Sequence, residues 1–167
     1  MRVLEAMQKV TLDEVFLGQY EGYHDDETIT NKESNCPTFA AVRCFINNPR
    51  WSGVPILFKA GKALNERKAE MRIQFKDAPA GEYLFGAPVP RNELVIKLQP
   101  DEAIYMKSNI KTPGFFSAPI QSELQVQYDT RYFAHSETRN PDAYSRLILD
   151  VLRGKSAAFV RSDELIR

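Results

Sequence analysis

Met71-Arg72-Ile73-Gln74-Phe75-Lys76 alternates apolar and polar side chains without a break. Successive side chains of a strand point to opposite faces, so this stretch predicts a strand. Met71, Ile73 and Phe75 belong to its buried face, and Arg72, Gln74 and Lys76 to its solvated face. The same period recurs further along the chain. Leu94, Ile96 and Leu98 alternate with Val95, Lys97 and Gln99, and Leu124, Val126 and Tyr128 alternate with Glu123, Gln125 and Gln127. Residues 103–107 are a shorter candidate. Upstream, 38–46 reads as a strand and 54–59 starts another, with Pro55 restricted to its first residues. Asn47-Asn48-Pro49-Arg50-Trp51-Ser52-Gly53 is the loop between them. Half-buried strands in this number predict a large, mostly antiparallel sheet with one covered face.

Helices are expected to supply the cover. Asn140 is placed as a cap and Pro141 as the first helical residue. Ala143, Tyr144, Leu147, Ile148, Val151 and Leu152 form one apolar stripe, and Gly154 is the stop. Residues 1–15 carry Val3, Leu4, Met7 and Val10 at roughly helical spacing but offer no cap. Ser162 caps a further helix that reaches Arg167 after one turn. Both ends therefore predict a fragment of a longer protein. The three polar or turn-rich stretches 21–35, 77–91 and 107–121 read as connections. The expected class is α+β: a large antiparallel sheet with helices packed on one face, in a single domain over 1–167.

Composition limits the functions available. The chain has 167 residues, 22 basic and 22 acidic, so its formal net charge is zero, which argues against a general nucleic-acid binder. Cys36 and Cys44 cannot build a disulfide framework, and with His24 and His135 they lack zinc spacing. Charges interrupt every apolar run before membrane-spanning length, and no signal peptide is visible. A soluble protein of a reducing, cytoplasmic compartment is expected, with no metal, membrane or nucleic-acid partner.

The charge is unevenly placed. Residues 59–111 hold ten basic against seven acidic side chains, whereas 1–58 hold five against eight. The densest part is Lys59-Ala-Gly-Lys62-Ala-Leu-Asn-Glu-Arg67-Lys68, where Lys62 to Lys68 has room for about one and a half helical turns. If the strands are neighbours, Arg72, Lys97 and Lys107 form a cationic comb on the face opposite the apolar residues. Such a comb suits phosphate, although pattern alone favours a solvated sheet face. His24 beside Asp25 and Asp26 reads as a solvated loop group ahead of a metal or acid-base one. His135 has no carboxylate orienter nearby. No Gly-rich phosphate loop, nucleophile elbow or His-Glu-x-x-His is present, so no catalytic residue is assigned.

Eight ordered motifs carry a resemblance. They are Phe16-Leu-Gly-Gln-Tyr20, Gly22-Tyr23 with Asp25-Asp26, Pro37-Thr-Phe-Ala-Ala41, Arg50-Trp-Ser-Gly-Val-Pro55, Gly61-Lys-Ala-Leu-Asn-Glu-Arg-Lys68 and Asn92-Glu-Leu-Val-Ile96, then 141–150 and 159–165. The chain resembles the C-terminal sheet domain of glucose-6-phosphate dehydrogenases. The resemblance implies an oxidoreductase that uses NADP to oxidise glucose 6-phosphate in the oxidative pentose phosphate pathway. The family's catalytic histidine segment and N-terminal Rossmann domain are absent from these residues, so the chain alone is expected to be inactive. Lys62 and Arg67 match cations lining the family's sugar-phosphate pocket, and Gln99 matches a residue beside it. Lys59, Lys68, Arg72, Lys97, Tyr105 and Lys107 match a second, structural NADP site of some members. Lys59 and Lys97 stand where arginine is typical, and Gln125 where aspartate is typical. The sheet is also implied to build a homo-oligomer interface. A non-catalytic assembly or anion-binding module on the same sheet is the alternative.

Overall fold

The computed structural model describes residues 2–86, 88–115, 118–128, 131 and 141–166. The chain divides into two units, Met1–Glu66 with Leu147–Arg167, and Arg67–Arg146. Each has its own antiparallel sheet.

In the first unit, β1 (Val15–Gly18), β2 (Phe39–Cys44) and β3 (Ile56–Gly61) pair in the order β1-β2-β3. Pro55 lies just outside β3, where its missing N–H costs the ladder nothing. Among the described residues of this unit, the buried side chains are Cys44, Ile46 and Thr38. The opening helix is much shorter than its spacing predicts. α1 covers only Arg2–Glu5, after which Met7 bridges Ile46. Gln8 N–H donates to Phe45 O at 3.0 Å, and Asn47 N–H donates to Ala6 O at 2.7 Å. Backbone groups committed to this pairing cannot also extend a helix.

In the second unit, β4 (Ala69–Gln74), β5 (Glu93–Gln99), β6 (Ala103–Lys111) and β7 (Pro119–Gln127) form a meander in chain order. β6 and β7 take in much of the stretch expected as a connection over 107–121. The connection before β5 contains a short helix, α2 (Gly81–Phe85). One side-chain contact closes that connection on itself and another pins it to the sheet. Arg91 forms an ion pair with Asp77, and Asn109 Nδ2 donates to Asn92 Oδ1 at 3.1 Å.

The α+β class and the antiparallel pairing stand, but two details differ from expectation. The strands form sheets of three and four in place of one large sheet, because a period of two reports that a strand exists without choosing its partner. The expected burial is also missing. Met71 is 55% exposed and Phe75 43%, and on the same face of the four-stranded sheet Leu124 is 73% exposed. α3 (Ala143–Leu152) forms on its predicted residues, yet Tyr144, Ile148, Val151 and Leu152 are all exposed. Asp142 takes the capping role, its Oδ2 accepting Tyr144 N–H at 3.0 Å, while Asn140 lies outside the described residues. At α4 (Ser162–Leu165) the cap position belongs to Arg161, whose backbone N–H donates to Glu164 Oε2 at 3.2 Å. Ser162 is one residue inside.

Candidate functional site

Antiparallel register places the comb residues on one face of the four-stranded sheet. Arg72, Val95, Tyr105 and Gln125 make one cross-strand row, Gln74, Glu93, Lys107 and Glu123 the next, and Glu70, Lys97, Ala103 and Gln127 a third. Directly opposed residues share a face, so the conditional expectation of a shared surface is met. Val95 is fully buried at the middle of this face and Ala103 is 2% exposed, which makes the polar side the better covered one.

The comb is not purely cationic. Arg72 pairs with Glu93 through Nη1 and with Glu70 through Nη2, the latter at 3.0 Å. Lys68 Nζ is 3.4 Å from Glu70 Oε1. Lys107 Nζ lies 3.2 Å from Glu123 and over the Tyr105 ring at 5.9 Å, and Lys97 is 3.7 Å from Asp101. These carboxylates turn the face into a mixed-charge ladder. Burial pushes the Glu70 carboxyl up, but the Arg72 hydrogen bond and the charges of Arg72 and Lys68 outweigh it and leave it below its ordinary range. The Glu70 hydrogen bond, aided by Glu93, raises Arg72 further against its partial burial. Sequence reasoning overlooked these acids. Glu70 was legible, since it shares the face of Lys68 and Arg72 by alternation. Glu93 and Glu123 required the register.

Lys59 of the expected NADP site and the substrate-side Lys62, Arg67 and Gln99 lie outside these three rows. Lys59 is exposed on β3 opposite Ala41, and Lys62 is exposed just beyond that strand, both in the first unit. Arg67 and Gln99 belong to the second unit, Arg67 exposed before β4 and Gln99 opposite Ala69 at the end of β5. The stretch 62–68 is a series of bends and not the helix its length allowed. Lys62 N–H donates to Thr38 O at 2.8 Å, which fixes where the chain leaves β3. A hollow of about 630 Å³ is lined by residues between Asp77 and Val89 and contains none of the predicted site residues.

His24 sits in a 3-10 turn, its ring edge-on to Tyr23 at 5.3 Å. Its Nδ1 is buried without a hydrogen bond, and the Asp26 carboxylate is engaged by Thr28. No acid-base pair is formed there. Among the described residues no cluster of His, Cys, Asp and Glu could hold a metal ion. His135 lies outside them.

Residues 1–167 match the family described as "Glucose-6-phosphate dehydrogenase, C-terminal domain". The chain belongs to that family. Among glucose-6-phosphate dehydrogenases, it is 52% identical over 165 residues to "Glucose-6-phosphate 1-dehydrogenase 6, cytoplasmic" of Arabidopsis thaliana, covering 99% of this chain and 31% of that protein. A chloroplastic relative from Nicotiana tabacum is 46% identical, covering 99% of this chain and 29% of that protein. The solved structure described as "Glucose-6-phosphate dehydrogenase in complex with its substrate glucose-6-phosphate" is 45% identical with a TM-score of 0.83, over 98% of this chain and 34% of that one. A glucose-6-phosphate 1-dehydrogenase from Mycobacterium avium is 26% identical with a TM-score of 0.79, over 97% and 33%. The chain spans about a third of the length of the curated glucose-6-phosphate dehydrogenases it matches. No helix among the described residues is long and apolar enough to cross a membrane.

Proposed function

We propose that this chain is the sheet-bearing part of a cytoplasmic enzyme that oxidises glucose 6-phosphate to 6-phosphogluconolactone with NADP. The observation that carries the reading is family membership over all 167 residues, with a substrate-complex structure among the similar folds. In the reaction, hydride leaves C1 of the sugar for NADP and the C1 hydroxyl proton passes to a base. No residue here is assigned as that base, which belongs to the remaining two thirds of such an enzyme, together with the coenzyme-binding turn.

Lys62 and Arg67 hold the sugar phosphate in this reading, and Gln99 lies beside it. Two exposed cations on short irregular backbone suit a dianion, and holding it correctly converts binding energy into orientation for hydride transfer. Lys59, Lys68, Arg72, Lys97, Tyr105 and Lys107 form a second, structural NADP site. A phosphate arriving there displaces Glu93 from Arg72 and Glu123 from Lys107. The sheet also pairs with a second copy of the enzyme. The cytoplasm is favoured because the Arabidopsis thaliana relative at 52% identity carries that word in its name.

The test is NADPH formation from glucose 6-phosphate by the full-length protein and by the 167-residue chain. The full-length protein is expected to turn over and the chain to show no activity. A full-length protein inert toward glucose 6-phosphate would contradict the reading, and an active chain would contradict the assignment of the base elsewhere.

A further inference from the structure

The corner from which Lys62 emerges is tightly built. Phe39 and Gly61 are the last register pair of β2 and β3. A methyl group on Gly61 would lie 2.9 Å from Phe39 Cδ2, and 3.1 and 3.3 Å from Leu64 Cδ1 and Cγ. The first distance is closer than side-chain carbons pack, and the atom met is part of a rigid ring. Glycine is required here for close approach. Leu64 thus folds back over Gly61, although it is 54% exposed, and seals the corner against the Phe39 ring. Phe39 is in turn braced edge-on by Phe16, with ring centroids 6.1 Å apart.

Two further features hold the same corner. Ala63 has φ of +54°, a left-handed conformation that an L side chain adopts only at a cost of about 1 kcal/mol or more, so the surroundings must impose it. Thr38, buried at 8% exposure, donates its N–H to Gly18 O at 2.9 Å and accepts Lys62 N–H at its own O. Its Oγ1 accepts Tyr20 N–H at 2.9 Å. Lys62 is therefore anchored by its backbone on one side and by an aromatic–glycine–leucine contact on the other.

We infer that Gly61, Phe39 and Leu64 are positioning residues that aim Lys62 at the phosphate of the sugar substrate. This rests on the functional reading above, in which Lys62 binds that phosphate. Strained backbone held by packing at the root of a flexible lysine gives the side chain a fixed origin. A displacement of that origin by the width of a methyl contact weakens substrate capture more than turnover.

The experiment is steady-state kinetics of the full-length enzyme carrying Gly61→Ala, Leu64→Ala, and Gly61→Ala with Phe39→Val. A misplacement approaching 1 Å can cost up to about 100-fold, so Gly61→Ala is expected to raise KM for glucose 6-phosphate by about tenfold with a smaller change in kcat. Trimming Phe39 to Val removes the clashing ring atom and is expected to restore part of that loss, which general destabilisation would not do. Leu64→Ala, an exposed truncation that leaves β2 and β3 intact, is expected to raise KM in the same direction. It decides the matter if Gly61→Ala does not fold. An active wild type whose KM is unmoved in both Gly61→Ala and Leu64→Ala overturns the inference alone. A wild type that does not oxidise glucose 6-phosphate overturns the functional reading and the inference with it.

Discussion

Glu70 lies between two cations on its own strand's polar side and takes hydrogen bonds or charge from both, Arg72 at 3.0 Å and Lys68 at 3.4 Å. Its carboxyl therefore sits below its ordinary range in the folded chain. A depressed folded value means that the unfolded chain takes up the proton first. The stabilisation is present above the unfolded value, roughly pH 4.3, and is lost as pH falls through the folded one. Glu70→Gln should cost about 1 kcal/mol at neutral pH, a modest figure because Arg72 keeps Glu93 and the pair is partly solvated. Denaturant midpoints measured from neutral to acid pH should show the variant losing less stability than wild type below about pH 4. Parallel curves for the two proteins would deny Glu70 its role.

At the scale of the strand and the sheet, alternation was a sound guide to where strands run and a poor one to what they bury. Met71-Arg72-Ile73-Gln74 gives β4, and Leu94 to Gln99 gives most of β5, because the period of two is a backbone property. Burial depends on what else packs against the apolar face, and Met71, Leu98 and Leu124 have little against them here. β1 went unread, since Val15-Phe16-Leu17-Gly18 has no alternation. Of the candidate site, the comb was legible residue by residue, but its neutralising acids were not, because Glu93 and Glu123 meet Arg72 and Lys107 only across strands. Those acids shape a prediction for NADP. A ligand bound only by the folded state raises stability by RT ln(1 + [L]/Kd), about 2.7 kcal/mol at a hundredfold excess over Kd. Millimolar NADP should raise the melting temperature of the chain, and Glu93→Gln with Glu123→Gln should enlarge the rise by freeing Arg72 and Lys107. No rise in either protein would return the ladder to a purely structural role.

At the scale of the whole molecule, two facts belong together. The chain spans about a third of the length of its curated relatives, and the apolar side of its four-stranded sheet is open, with Met71, Leu98, Leu124 and Val126 all exposed. Contiguous exposed apolar surface marks a place where other protein docks. Under the proposed function, this surface is where the rest of the enzyme would dock. The claim central to that function is that Lys62 and Arg67 each contribute a cation to binding glucose 6-phosphate. The most direct test is the KM for glucose 6-phosphate of full-length Lys62→Ala and Arg67→Ala. Hydrogen bonds to charged groups contribute about 1.5–3 kcal/mol, so each truncation should raise KM by about 10- to 100-fold. A KM within about twofold of wild type in both variants would contradict the claim.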